Sequence, residues 1–105
     1  RFTREEVDYI KGIGNPRTDL LGEMMEMFIA NFGYLPILHD PLALSALLWK
    51  DLLTFAEKKI LIETGGQYTR GLTIDCDWGE GASVRAAVSV NVEEFKKRLL
   101  ERLVL

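Results

Sequence analysis

The sequence predicts an α/β protein, and within that class a piece of an α/β sandwich, helices joined to two or three strands. Three observations lead there. Four helix starts are marked by capping chemistry. Between the third and fourth of them the apolar period shifts from helical to alternating. The resulting order is helix, helix, helix, strands, helix, with too few strands to cover three helices in a complete doubly wound fold. The chain's 105 residues amount to about one domain.

The first helix follows from "TREE", where Thr3 stands three residues before Glu6 in a capping box, and it is expected to stop near Gly12 or Gly14. In "GNPRTDLLGEMMEMFIANFG", Asn15 is placed to cap and Pro16 to open the second helix. Leu20, Leu21, Met24, Met25, Phe28, Ile29 and Phe32 recur at helical spacing, and Gly33 is a natural stop. "DPLALSALLWKDLL" repeats the pattern, with Asp40 as cap, Pro41 first inside, and an amphipathic run from Leu42. "KKILIET" then reads as a strand, Gly65-Gly66 as a tight turn and "QYTRGLTIDC" as the partner strand. "DWGEGAS" reads as a loop. "VRAAVSVNV" places Val84, Ala86, Val88 and Val90 on one face of a third strand. In "NVEEFKKRLLERL", Asn91 pairs with Glu94, and Phe95, Leu99 and Leu103 share a face.

Composition narrows the function. Hydrophobic residues make up 48% and charged residues 28%, which is globular rather than disordered. The net charge of −3, with both signs interspersed, offers no concentrated basic face for a nucleic acid polymer. No apolar stretch approaches the roughly 20 residues that span a bilayer, so no membrane partner is expected. A single cysteine, Cys76, forms no internal disulfide, which favours a reducing, cytoplasmic location. The chain opens on Arg1 without a leader and reads as though cut from something longer.

Most polar features have ordinary structural explanations. Met24, Met25 and Met27 suggest a sulfur patch, but Met24 and Met25 fit core packing. Asp75, Asp77 and Glu80 lack the spacing and closing glutamate of a calcium loop. "TGGQYTRG" lacks the lysine and strand-to-helix setting of a phosphate cradle, and no glycine-rich turn suits a dinucleotide. "KKRLLER" reads as a wet face with charge pairing along it, and Cys76 shows no sign of activation. In "YLPILHDPLALSALLW", a buried segment hands over to a helix at the chain's one histidine, His39, and at Asp40. Asp before Pro is a favoured helix start, and a lone histidine is ordinarily a satisfied core residue. Their adjacency nevertheless joins a proton-exchanging ring to the positive end of a helix.

At "LHDPLAL" the chain resembles the inosine-uridine-preferring nucleoside hydrolases. The likeness covers nearly the whole chain, in order: "FTREEVDYIKGIG", a long helix, an aromatic-Gly turn, "LHDPLAL", "ILIETGGQYTRGLTIDC" and "VSVNVEEFKKRLLERL". It implies that residues 1–105 are the C-terminal part of a single domain, a piece of an open Rossmann-like fold with its site at strand ends. It also implies hydrolysis of the bond between ribose and a purine or pyrimidine base, with a place in nucleoside salvage. The implied cofactor is calcium, holding the ribose hydroxyls and the attacking water. Asp40 matches the family's C-terminal aspartate ligand to the metal. His39 matches the histidine that faces the leaving base, and Arg70 of "TRG" looks structural. Contacts to the base in relatives lie near the second helix, where Met27, Phe28 and Asn31 are not aligned to them.

The chain departs from the family in lacking its aspartate-rich N-terminal motif and its sugar-gripping middle segment. The resemblance therefore implies a C-terminal fragment, inactive alone, whose partners are a small nucleoside and the missing N-terminal part. The alternative is a non-catalytic interaction domain or pseudoenzyme remnant of the same fold. An open-sheet fragment exposes an edge and an apolar face, so docking on its other part, aggregation or a homo-oligomer is expected.

Overall fold

A computed structural model describes residues 1–76, 78 and 81–105. They divide into two compact units: Arg1–Leu52 with Asn91–Leu105, and Leu53–Val90.

The first unit holds four helices, three of which cap as local chemistry dictates. In α1 (Arg4–Gly12) the Glu6 amide donates to Thr3 Oγ1 at 3.2 Å, and the Thr3 amide to Glu6 Oε2 at 2.7 Å. In α2 (Pro16–Phe32), Asn15 Oδ1 accepts from the Arg17 and Thr18 amides at 3.1 and 3.0 Å. Gly33 ends α2 in the left-handed region, at φ 73°. In α4 (Val92–Val104), Asn91 Oδ1 accepts from the Glu94 amide at 3.1 Å. The core consists of Phe2, Val7, Ile10 and Met25, with Leu21, Leu35, Leu38, Leu99, Leu100 and Leu103 against it. Phe95 of α4 is also buried.

The expected stripe on α2 narrows on packing. Met25 is buried, but Leu20, Met24 and Phe32 are exposed, so core placement fails for Met24. The helix approaches α1 along Thr18, Gly22 and Met25, its three buried residues. A Cβ on Gly22 would stand 2.5 Å from Lys11 Cγ, so this contact needs glycine. Residues one step around the helix from that line turn outward.

α3 (His39–Leu48) is shorter than expected at its end: Trp49 leaves helical geometry at φ −132°, ψ 86°. Strand β1 (Leu53–Ile62) therefore begins before the predicted "KKILIET".

The second unit is an antiparallel sheet of order β2-β1-β3, with β2 at Thr73–Asp75 and β3 at Ala82–Val90. The connection into β2 is not a tight turn at Gly65-Gly66. Glu63 Oε1 accepts from the Gly65 and Gly66 amides at 2.7 and 3.1 Å. The Gly71 amide donates to Glu63 O at 2.7 Å, and the Leu72 amide to Thr69 O at 2.8 Å. The positive φ falls on Gly71, at 90°. "QYTRG" is thus spent on a closed loop, leaving a three-residue β2.

The alternation expected along β3 also breaks. Leu53 pairs with Val90 and Thr54 with Ser89, but Phe55 pairs with Ala87. Val88 is an extra, bulged residue, and its insertion moves Val90 to the face opposite Val84 and Ala86.

Candidate functional site

His39 and Asp40 lie in the first turn of α3, and their setting begins with the strap before it. Leu35 and Leu38 are half-buried against the core. The Phe2 amide donates to Pro36 O at 3.3 Å. The Tyr34 ring meets Phe28 edge-on, centroids 5.4 Å apart, and the Arg1 guanidinium lies 5.3 Å from the Tyr34 centroid. The strap is half-buried rather than buried as expected, with Ile37 exposed.

The helix start differs from the expected one. Leu38, not Asp40, is the capping residue, and the Leu42 amide donates to Leu38 O at 3.1 Å. His39, Asp40 and Pro41 thus occupy the first three helical positions. No side chain caps the helix. Pro41 has no amide to satisfy, which is why it is tolerated in the first turn. The Asp40 carboxylate sits where the helix dipole favours negative charge. Both side chains are exposed, and neither makes a hydrogen bond or ion pair among the described residues. Asp40 is not a cap, and His39 is not a satisfied core histidine.

The opposite end of α3 is anchored. The Trp49 amide donates to Ser45 O at 2.8 Å, and buried Ser45 donates its hydroxyl to Leu42 O at 2.6 Å. Arg98 of α4 holds Asp51 with two hydrogen bonds, 2.9 and 2.7 Å, and donates Nε to Glu94 at 2.7 Å. Its guanidinium lies 5.9 Å from the Trp49 ring centroid. The Arg98 hydrogen bonds hold the Asp51 carboxyl below the usual carboxylate range, and Asp51 with Glu94 raises Arg98. The Glu94–Arg98 spacing was legible in "EEFKKR". The pairing with Asp51, 47 positions away, was not.

The body of α3 is not amphipathic. It is apolar on every side; only Ser45 is buried, and Leu44, Leu47 and Leu48 are exposed. An open groove of about 360 Å³, including Pro41, Leu44, Leu48, Trp49 and Leu99, runs along it.

The remaining sequence candidates have exposed positions or local partners of their own. Met27 is exposed, Phe28 belongs to the aromatic cluster, and Asn31 donates its amide to Met27 O at 2.8 Å. Asp75 is paired with Lys58 at 2.7 Å. Asp77 and Glu80 lie outside the described residues. Arg70 is exposed in the loop between β1 and β2. Cys76 is fully buried, with its Sγ 3.5 Å from Lys59 O, a packing role. No group of three or more His, Cys, Asp or Glu suited to a metal occurs among the described residues. One carboxylate and one imidazole, consecutive in the chain and without a partner among the described residues, can supply one oxygen ligand and one proton donor, which is part of a site.

A family model described as inosine-uridine preferring nucleoside hydrolase matches residues 1–97. The chain belongs to that family. Among curated nucleoside hydrolases it is 33% identical over 109 residues to the pyrimidine-specific ribonucleoside hydrolase RihA of Salmonella newport. That match covers 95% of this chain and 35% of the relative. RihA of Escherichia coli O7:K1 is 32% identical over 108 residues, covering 94% and 35%. Among solved structures, a purine-preferring ribonucleoside hydrolase from Gardnerella vaginalis matches 98% of this chain with a TM-score of 0.76, at 22% identity. That likeness concerns the fold and covers 35% of the solved chain. The helices and antiparallel sheet are thus a piece of the α/β nucleoside hydrolase fold. The chain spans about a third of the length of the relatives it matches. No helix among the described residues is long and apolar enough to cross a membrane.

Proposed function

We propose that this chain is the C-terminal part of a calcium-dependent ribonucleoside hydrolase, acting in the cytoplasm in nucleoside salvage. The complete protein cleaves the N-glycosidic bond of a purine or pyrimidine ribonucleoside with water, giving free base and ribose. The observation that carries this reading is the Asp40 carboxylate, next to His39 on a family-matched helix start, spent on no cap and without a partner among the described residues. The relatives include a pyrimidine-specific and a purine-preferring hydrolase, and what they share is the ribonucleoside.

Departure of the base leaves positive charge on the sugar and negative charge on the base. Asp40 is suited to the sugar side, where its carboxylate would be one oxygen ligand to calcium and would oppose the developing positive charge. Calcium takes six to eight oxygen ligands, so the others come from the N-terminal part of the fold. When bound, the ion supplies charge stabilisation and acidifies water. His39 is suited to the base side, donating a ring-nitrogen proton to the departing base nitrogen. The anchor at Trp49 and Arg98 holds the helix that carries both. The exposed leucines of α3 are suited to burial against the N-terminal part, since an apolar helix exposed on several sides is short of packing partners.

The test is base release from inosine and uridine, by the chain alone and with the N-terminal part, alongside calcium titration of both forms. Turnover and tight calcium binding are expected only of the combined protein. Turnover by this chain alone, or a combined protein that binds no calcium, would overturn the division of ligands.

A further inference from the structure

We propose that Tyr34 is a positioning residue: its ring, held at the end of α2, fixes the strap so that α3 starts at Leu38 and the Asp40 carboxylate is withheld from capping. The proposal rests on the reading of Asp40 as a calcium ligand, and it names what keeps that ligand available. Asp40 before Pro41 is a pair that ordinarily caps a helix. A start at Asp40 would turn its carboxylate onto the Leu42 or Ala43 amide, the second and third of that shorter helix. The observed start lies two residues earlier. There the Leu42 amide donates to Leu38 O instead, and no side chain caps the helix. The earlier start gains no side-chain cap, so its stabilisation comes from outside α3, through the strap.

Four attachments hold residues 34–38. Leu35 and Leu38 lie against the core, and the Phe2 amide holds Pro36 O. Tyr34 is the fourth, and it differs in being exposed. Gly33 turns the chain at positive φ, and the Tyr34 ring returns to the helix the chain has just left. It stands edge-on to Phe28 at 5.4 Å and tilted to Phe32 at 6.2 Å. Phe28 and Phe32, four residues apart on α2, are themselves 4.7 Å from each other. On the tyrosine lies the Arg1 guanidinium, 5.3 Å from the ring centroid. Ring pairs at these distances attract beyond simple burial, and the cation adds to them. The Tyr34 hydroxyl makes no hydrogen bond among the described residues, so the ring is the part in use. Contacts of this kind and a single capping hydrogen bond are of similar size. The cluster is thus large enough to decide between two helix starts and too small to decide the fold.

The test is made in the complete protein with Tyr34→Ala and Tyr34→Phe. Histidine is labelled with carbon-13, and the His39 signal is assigned by its loss in His39→Gln. Without calcium, the His39 backbone shift is expected to be helical in the unaltered protein and in Tyr34→Phe. In Tyr34→Ala it should move toward the extended value. Calcium binds only molecules whose Asp40 is free, so the apparent calcium affinity of Tyr34→Ala should fall about tenfold. Saturating calcium should then restore both the helical shift and kcat, with KM for inosine or uridine unchanged. Damage of a merely structural kind is not repaired by the metal. Should Tyr34→Ala not fold, Tyr34→Leu, apolar but without a ring, is expected to give the same changes. A His39 shift that stays helical in Tyr34→Ala overturns the proposal. So does a raised KM alone, which would make Tyr34 a contact of the substrate. An unaltered protein that binds no calcium defeats the reading of Asp40 as a ligand, while the His39 shift still decides whether Tyr34 sets the helix start.

Discussion

The starts of α2 and α3 look alike in sequence and differ in structure. Both carry a short polar residue immediately before proline. At α2, Asn15 Oδ1 is committed to two backbone amides and its own amide approaches Leu103 O at 3.4 Å, so the side chain belongs wholly to the fold. At α3 the helix begins ahead of Asp40, and the carboxylate meets no protein partner among the described residues. The first arrangement consumes its polar group in holding the helix. The second leaves a charged group unconsumed on a helix fixed at its other end. A helix start whose carboxylate has no structural employment is where ligand chemistry has room to act.

Mutations at the two starts should have opposite signatures. The largest effect is expected in the complete protein from His39→Ala, with kcat falling about 10²–10⁴-fold and calcium affinity kept, by steady-state kinetics and metal titration. Next, Asp40→Ala should weaken calcium binding about 100-fold by calorimetry. The same change should alter folding stability by only about 0.5 kcal/mol, the share of a carboxylate near a helix N-terminus. A loss as large as that of a cap would return Asp40 to a structural role. Asn15→Ala should do the reverse, costing about 1 kcal/mol in denaturant unfolding with kcat unchanged.

The smallest effect concerns the anchor. The Arg98 hydrogen bonds lower the Asp51 carboxyl, so their contribution is present above the ordinary carboxylate range and is lost as pH falls through it. Glu26, lowered by hydrogen bonds from Lys11 and then Arg4, behaves likewise. Thermal unfolding followed between about pH 5 and pH 2 should therefore show falling stability. Arg98→Met should shrink that fall without abolishing it, since Glu26 keeps its partners. An unchanged pH profile would mean that the Arg98 network is unformed in solution.

Much of the fold was legible because its signals are local. The Thr3–Glu6 box, the Asn15 and Asn91 caps and the Gly33 stop each act within three or four residues, and the structure keeps all of them. The candidate pair was legible as residues but not as a conformation. Asp40-Pro41 is compatible with two helix starts, and the choice fell to the strap that places Leu35 and Leu38 on the core. Met24 was misplaced because periodicity identifies a helix without saying which side another helix will occupy. Val90 was misplaced because one bulged residue inverts the alternation beyond it.

The sequence by itself determined the caps of α1, α2 and α4, the change of period and the family, since these depend on neighbours along the chain. Tertiary structure alone decided that α3 ends at Leu48, that Arg98 reaches Asp51, that β1 begins at Leu53 and that Asp40 meets no partner among the described residues. These outcomes depend on groups tens of residues apart competing for the same backbone and side-chain partners. That competition is settled only when the chain has closed on itself.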